Sequence, residues 1–197
     1  MQNVTNKMMI DIIDNGGQWT HREWRMLRDL GVDSIIVPND TPPELLRKKL
    51  DGLVLSGGAT RVGITGELGF CGKYLELNIP ILGICAGHQY MARYYGGDAK
   101  EADIAEFGAV EINVDSSSVI FDGTPDIQNV FTSHNDEVSI IPDGFVVTAW
   151  SNECPIQAIE NKERGRFGLQ FHPEVTHTEF GSSMFQNFIS FCAKKQL

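Results

Sequence analysis

The sequence predicts an α/β protein with a mostly parallel central sheet, helices on both faces and an antiparallel extension. Three observations carry that prediction. Short apolar runs alternate with longer helical patterns between Met8 and Tyr95. From about Ala99 the helical patterns stop, and strand-like runs follow one another across turn signals. One amphipathic helix then closes the chain. Alternating strand and helix implies right-handed crossovers between parallel strands that are covered on both faces. Closely spaced strands with Gly- and Pro-containing turns between them imply hairpins.

The elements follow in order. Met8 to Asp14 reads as a strand ending in the turn-prone Asp14-Asn15-Gly16-Gly17. Thr20 to Leu30 places Trp24, Leu27 and Leu30 at helical spacing, and Gly31 is a natural C-terminal stop. Ser34 to Val37 is a second strand, and Thr41-Pro42-Pro43-Glu44 has the composition of a helix start. Gly52 to Ser56 is a third strand, broken by Gly57-Gly58. Glu67 to Leu77 is expected to be helical, and Pro80 to Cys85 to be a fourth strand leading into a helix near Gln89 to Tyr95. Later strands are expected at Val110–Val114, Asn129–Thr132, Phe145–Trp150, Gln157–Glu160 and Arg166–Phe171, with turns at Asp122-Gly123 and Pro142-Asp143-Gly144. The closing helix, Gly181 to Lys194, carries Met184, Phe185, Phe188 and Ile189 on one face.

A length of 197 residues suits one domain, 1–197, with residues 1–7 as a short polar leader. A hydrophobic fraction of 42% and a charged fraction of 21% belong to an ordinary globular chain, with no apolar run long enough to span a bilayer. Net charge is −10, and the densest basic cluster, Arg47-Lys48-Lys49, reads as the solvated last turn of a helix. Phosphate-tracking surfaces need dense positive charge, so nucleic-acid binding is excluded as an expectation. The four cysteines, Cys71, Cys85, Cys154 and Cys192, are scattered without CxxC spacing. That favours free thiols in a reducing cytoplasm over a disulfide framework or a structural zinc site.

Chemistry concentrates at three places. The first is Pro80-Ile81-Leu82-Gly83-Ile84-Cys85-Ala86-Gly87-His88-Gln89, an apolar strand running into Gly83-x-Cys85-x-Gly87 and then a helix. This is the pattern of a nucleophile elbow with Cys in place of Ser. A sharp strand-to-helix turn strains the central residue, and its neighbours must lack a Cβ to avoid collision. The sulfur then stands at a helix N-terminus, whose partial positive charge favours the thiolate. A free Cys taken alone is most often a small buried hydrophobe, and that reading is kept for Cys71, Cys154 and Cys192.

The second place is Gly168-Leu169-Gln170-Phe171-His172-Pro173-Glu174-Val175, at the end of another apolar strand. His172 can act as base for a thiol and acid for a leaving amine, and Glu174 can fix its tautomer. His21 is expected on an exposed helix face, and His88 is expected to shape the pocket rather than do chemistry. His172, Glu174 and His177 do not match a zinc-protease spacing, so no metal is expected. The third place is Ser56-Gly57-Gly58, where bare backbone can approach a substrate. With Ala86, the residue after the nucleophile, Gly58 is the candidate second donor of an oxyanion hole.

With these pieces placed, the chain resembles the class I (triad) glutamine amidotransferases over nearly its whole length. The resemblance runs through Asp14-x-Gly16-x-Gln18, Leu55-Ser56-Gly57-Gly58, Gly83-Ile84-Cys85-x-Gly87-His88-Gln89, Ser133-His134-x-Asp136-Glu137-Val138 and the His172-Pro173-Glu174 segment. Within the family, His-Pro-Glu-Val followed by Thr176-His177-Thr178 looks most like the glutaminase part of GMP synthetase. The resemblance implies a Cys85–His172–Glu174 triad that hydrolyses glutamine. It also implies a pocket for glutamine's α-amino and α-carboxylate groups near Gly57, Gln89, Ser133, His134 and Asn135, with Asp136 and Glu137 as contacts to a partner. No cofactor is implied in this chain. ATP and magnesium would be bound by a separate ATP-pyrophosphatase subunit that converts XMP to GMP, since no glycine- and serine-rich pyrophosphatase loop occurs here. Two departures stand out: Ala59 where the family often has Pro, and Asn135 where Gly is frequent, tolerable in a left-handed backbone. Rival readings are an amidotransferase subunit of another pathway, such as anthranilate synthesis, a non-catalytic glutamine-binding module, and a different cysteine hydrolase.

Overall fold

The computed structural model describes residues 7–195. The leader expected over 1–7 lies outside the described residues except for Lys7. Nine strands form one sheet in the order β2-β1-β3-β4-β9-β8-β7-β5-β6. Its parallel half is β1 (Ile10–Asp14), β2 (Ile36–Pro38), β3 (Gly52–Leu55), β4 (Ile81–Ile84) and β9 (Arg166–Leu169). The antiparallel extension is β5 (Asp98–Val114), β6 (Ile127–Ile140), β7 (Val146–Trp150) and β8 (Ala158–Asn161). The predicted fold class is therefore the observed one.

Period-two alternation divides the core into two layers. Ile10, Ile12, Val54, Leu82, Ile84, Phe167 and Leu169 face Leu27 of helix α1 (Thr20–Asp29) and Met184, Phe185 and Phe188 of helix α5 (Gly181–Lys194). Ile13, Leu53, Leu55 and Ile81 point the other way, against α3 (Cys71–Leu75) and α4 (Ala86–Tyr94). The inner parallel strands β1, β3, β4 and β9 are thus buried on both faces, which is why these runs read as continuous apolar stretches, while β2 at the edge is only partly covered.

Several expectations need correction. The helix opened by Pro42-Pro43 is a single 3-10 turn, Pro43–Leu45. Arg47 is not part of a solvated turn; it reaches inward to ion-pair with the fully buried Asp11 and with Asp33. Of the helix expected over Glu67–Leu77 only α3 (Cys71–Leu75) forms; a separate four-residue helix, α2 (Val62–Thr65), precedes it, and between the two Gly66 and Gly69 take left-handed backbone with φ of +70° and +51°. Strand β5 starts twelve residues before the expected Val110, and β6 runs from Ile127 well past Thr132. The two pair as a long hairpin whose register shifts between Glu101 and Glu106. Asn135 lies within β6, so it needs no left-handed backbone.

One buried cation ties β9 to α3, to the segment before β4 and to the end of α4. Arg166 at the start of β9 donates to the carbonyls of Ile79 (2.6 Å), Leu75 (2.9 Å), Leu77 (2.7 Å) and Arg164 (2.9 Å), and to the Tyr95 hydroxyl (2.8 Å). Leu75 ends α3, so the guanidinium caps carbonyls that the helix itself leaves unpaired.

Candidate active site

The carboxyl ends of the parallel strands converge on one cleft of about 390 Å³, where α/β sheets place their ligands. Strand β1 ends in Asp14, whose Oδ1 accepts from the Gly16 N–H and the Thr20 hydroxyl, both at 2.9 Å. That pair of bonds turns the chain into α1 and accounts for the Asp14-x-Gly16 spacing. Strand β3 ends in Ser56-Gly57-Gly58, β4 in Cys85, and β9 leads to His172 and Glu174.

Cys85 is the N-cap of α4 with φ +49° and ψ −105°, one of three described non-glycine residues with positive φ. This is the strain the elbow pattern predicts. A Cβ on Gly83 would stand 2.7 Å from the backbone of Gly87, and one on Gly87 would collide with the Leu55 carbonyl oxygen. The spaced glycines therefore let β3, β4 and α4 pack at the turn. The thiol lies 3.9 Å from the Ser133 carbonyl and 3.8 Å from Gln170 Nε2.

His172 and Glu174 are both buried, with Nδ1 of the ring 2.8 Å from Glu174 Oε1. That bond leaves Nε2 for the thiol. Burial alone would push the His172 imidazolium down. Interaction with Cys85 and with Glu174, whose carboxylate accepts from the ring, overcomes it and raises the group to about 10. Thr178 steadies the segment: its hydroxyl donates to the His172 carbonyl at 2.7 Å and accepts the Phe131 N–H at 2.9 Å.

The Gly57-Gly58 loop is closely held. Ser56 Oγ accepts the Asn15 N–H at 2.9 Å and donates to the Gly57 carbonyl at 2.8 Å. A Cβ on Gly57 would stand 3.1 Å from His172 Cε1, and one on Gly58 would collide with the Asn15 carbonyl. Further along, Arg61 pairs with Asp136 at 2.6 Å, and Asp136 also accepts the Gly63 N–H at 3.0 Å. This clamp supplies anchoring on the far side of Ala59, where the family often has Pro.

The remaining sequence-derived candidates fall into two groups. Gly57, Gly58, Gln89, Ser133, His134 and Asn135 all line the cleft. Gln89 Nε2 donates to the Asp136 carbonyl at 2.6 Å and to Gln170 Oε1 at 3.2 Å. The His134 ring is committed inward, with Nε2 2.9 Å from Glu106 and Nδ1 3.0 Å from the Asp136 carbonyl. Glu106 also accepts from Ser151 at 2.9 Å and Gln157 at 2.6 Å, so this buried network stiffens the β5–β6 wall. Asp136 and Glu137 need correction as partner contacts. They are 3% and 5% exposed, and their carboxylates face Arg61 and Lys100 within the chain.

His21 is exposed, as expected. His88 does not line the cleft: it is fully buried behind the elbow, and burial pushes it down to about 3, so it packs as a neutral ring. Sequence reasoning missed Trp19, Glu23 and Gln170. The Trp19 ring meets His172 edge-on at 4.4 Å between centroids. Glu23 shares the apolar stripe of α1 with Leu27, and a charged residue on such a stripe was the available signal.

Comparison with known proteins agrees with this geometry. A family model described as glutamine amidotransferase class-I matches residues 11–191. The chain is 48% identical over 188 residues to a glutamine-hydrolyzing GMP synthase subunit from Thermoplasma acidophilum, covering 94% of each chain. It is 44% identical to the protein of the same name from Pyrococcus furiosus, covering 94% of this chain and all of that one. A crystal structure of a putative GMP synthase subunit from Thermoplasma acidophilum superposes with a TM-score of 0.90 at 47% identity, over 97% of this chain and 96% of that one. A glutamine amidotransferase from Thermotoga maritima shares the fold at 20% identity, with a TM-score of 0.72 over 98% of this chain and 86% of that one. The chain belongs to the class-I glutamine amidotransferase family.

Proposed function

We propose that this chain is the glutaminase subunit of a two-chain GMP synthase, with Cys85, His172 and Glu174 as its catalytic triad. The observation that carries the reading is the buried His172–Glu174 pair set beside a thiol at the strained start of α4. In the reaction, the Cys85 thiolate attacks the side-chain amide carbon of glutamine, and a tetrahedral oxyanion forms. An imidazolium and a helix N-terminus beside the sulfur both favour the thiolate. Ala86 is the first residue of α4, so its N–H lacks a helical partner and can donate to the oxyanion. The Gly58 N–H is the second donor. His172 passes its proton to the departing nitrogen, ammonia leaves, and a glutamyl thioester remains on Cys85. Water, deprotonated by His172, attacks the thioester; glutamate is released and the thiol is restored.

Gly57, Gln89 and the backbone at Ser133, His134 and Asn135 hold the α-amino and α-carboxylate groups of glutamine. The relatives are named as one subunit of their synthase, which supports a separate partner chain. That partner binds ATP and magnesium and uses the ammonia to convert XMP to GMP. The chain itself then needs no cofactor. All four cysteines are free and buried, which supports a cytoplasmic setting. No helix among the described residues is long and apolar enough to cross a membrane.

An electrophilic glutamine analogue tests the site. The intact mass should rise by one adduct, peptide mapping should place it on Cys85, and free glutamine should slow the labelling. Adducts on Cys71, Cys154 or Cys192, or labelling indifferent to glutamine, would contradict the assignment.

A further inference from the structure

The ring of His172 rests against an indole that the reaction above does not use. Trp19 stands at the N-cap of α1, where its carbonyl accepts the Arg22 and Glu23 N–H groups at 2.7 and 3.2 Å. Those bonds fix its backbone, so the side chain projects from a held point. The half-buried indole meets the His172 ring at 4.4 Å between centroids, with the planes 70° apart. On another side it meets the Phe131 ring at 5.6 Å and 87°. Phe131 is also tied to the histidine through the main chain, since its carbonyl accepts the His172 N–H at 2.9 Å. Trp19, Phe131 and His172 therefore close a ring of contacts that joins α1, β6 and the segment after β9.

The geometry gives that closure a task. The bond from Nδ1 to Glu174, at 2.8 Å, holds the imidazole at one atom. A ring held at one atom can still tilt, and tilting displaces Nε2, on its far side, more than Nδ1. Gly57 limits the movement at Cε1, where an added Cβ would stand only 3.1 Å away. We propose that Trp19 is a positioning residue: braced by Phe131, its indole stops the His172 imidazole from tilting about the Glu174 bond and so keeps Nε2 aimed at the Cys85 thiol. This rests on the glutaminase reading. A proton-transfer atom moved by about 1 Å can cost about 10²-fold in rate, so a wall that prevents the tilt matters. Trp19 also lines the cleft, and a residue that merely touched glutamine would act on KM instead.

Kinetics with the synthetase partner present separate these roles. Trp19→Phe keeps a flat ring on the same backbone and should hold kcat within about threefold of the parent. Trp19→Leu is apolar but has no plane to lie against the imidazole. It should lower kcat at least about tenfold while KM for glutamine moves by less than about threefold. Fluorescence of the chain alone gives a second readout. An imidazolium touching an excited indole accepts an electron and quenches it, and a neutral imidazole does so far less. His172, raised to about 10, should therefore release that quenching as pH climbs through about 10, and emission should rise. The rise should be missing from both Trp19→Phe and His172→Gln, with Trp24 and Trp150 as a background common to all. Parental kcat in Trp19→Leu, a Phe variant as impaired as Leu, or a loss carried by KM alone would overturn the proposal. A rise absent from the parent, or persisting in either of those two variants, would overturn it too. The titration needs no glutaminase activity, so its outcome is separate from that of the reading on which the rates depend.

Discussion

Replacing Cys85 with Ala is expected to lower glutamine-dependent turnover by about 10⁴-fold or more, the scale at which loss of a triad nucleophile leaves only binding and oxyanion stabilisation. The argument is local. Sγ stands at the start of α4 in the cleft that His172 also lines, and no other described thiol lines it. Cys71, Cys154 and Cys192 are buried elsewhere, and desolvation pushes the Cys71 thiol up to about 12 and the other two higher still. None of them can substitute as a nucleophile near neutral pH. Ala retains the Cβ, so the strained backbone and the packing of Gly83 and Gly87 are preserved. The variant should therefore fold normally, and a partner synthetase mixed with it should still use added ammonium. The check is glutamate release from glutamine beside ammonium-driven synthesis in the same mixture. Glutamate release at the parental rate would remove Cys85 from the mechanism.

Arg166→Met is expected to cost about 3 kcal/mol or more of stability, the scale for removing one side of a buried charged hydrogen-bonding group. Arg166 is 5% exposed and satisfies four carbonyls and a hydroxyl within 2.9 Å. Methionine fills much of the same volume but donates nothing. The carbonyls of Leu75 and Leu77 would lose the donor that closes α3 against β9. Urea denaturation read by far-ultraviolet circular dichroism provides the test, with a lower midpoint expected at an unchanged slope. A loss below about 1 kcal/mol would mean that water reaches those carbonyls, and the capping account would fail.

What could be read from sequence depended on whether a residue's environment is set locally. The elbow was legible because Gly83, Cys85 and Gly87 stand together in one strand-turn-helix pattern, although the atom that keeps Gly87 bare, the Leu55 carbonyl oxygen, comes from β3. His172 and Glu174 were legible for the same reason: Pro173 joins them directly, and the hydrogen bond closes over two residues. The parallel strands announced themselves because both faces are buried. The first half of β5 did not, since Asp98 to Phe107 mixes charged residues with Ala, Ile and Phe in no regular alternation and is largely exposed, so neither apolar alternation nor burial marks it. Its strand form comes from pairing with β6 across a register shift.

The misread segment from Glu67 to Leu77 failed on backbone conformation. Gly69, which looks like a tolerable break in a helical pattern, is left-handed, as is Gly66 just before the segment. Arg47 and Asp136 failed for a different reason. Each reads as a solvated charge until the fold brings a partner from far along the chain, Asp11 to the first and Arg61 to the second.

The most direct test of the central claim is glutamate release from glutamine by this chain, alone and then with its cognate synthetase partner, ATP, magnesium and XMP. The account predicts strong stimulation by the complete mixture, with GMP formed as glutamate appears. Glutamine hydrolysis indifferent to that partner would contradict the GMP synthase assignment, and no hydrolysis under any condition would contradict the triad itself.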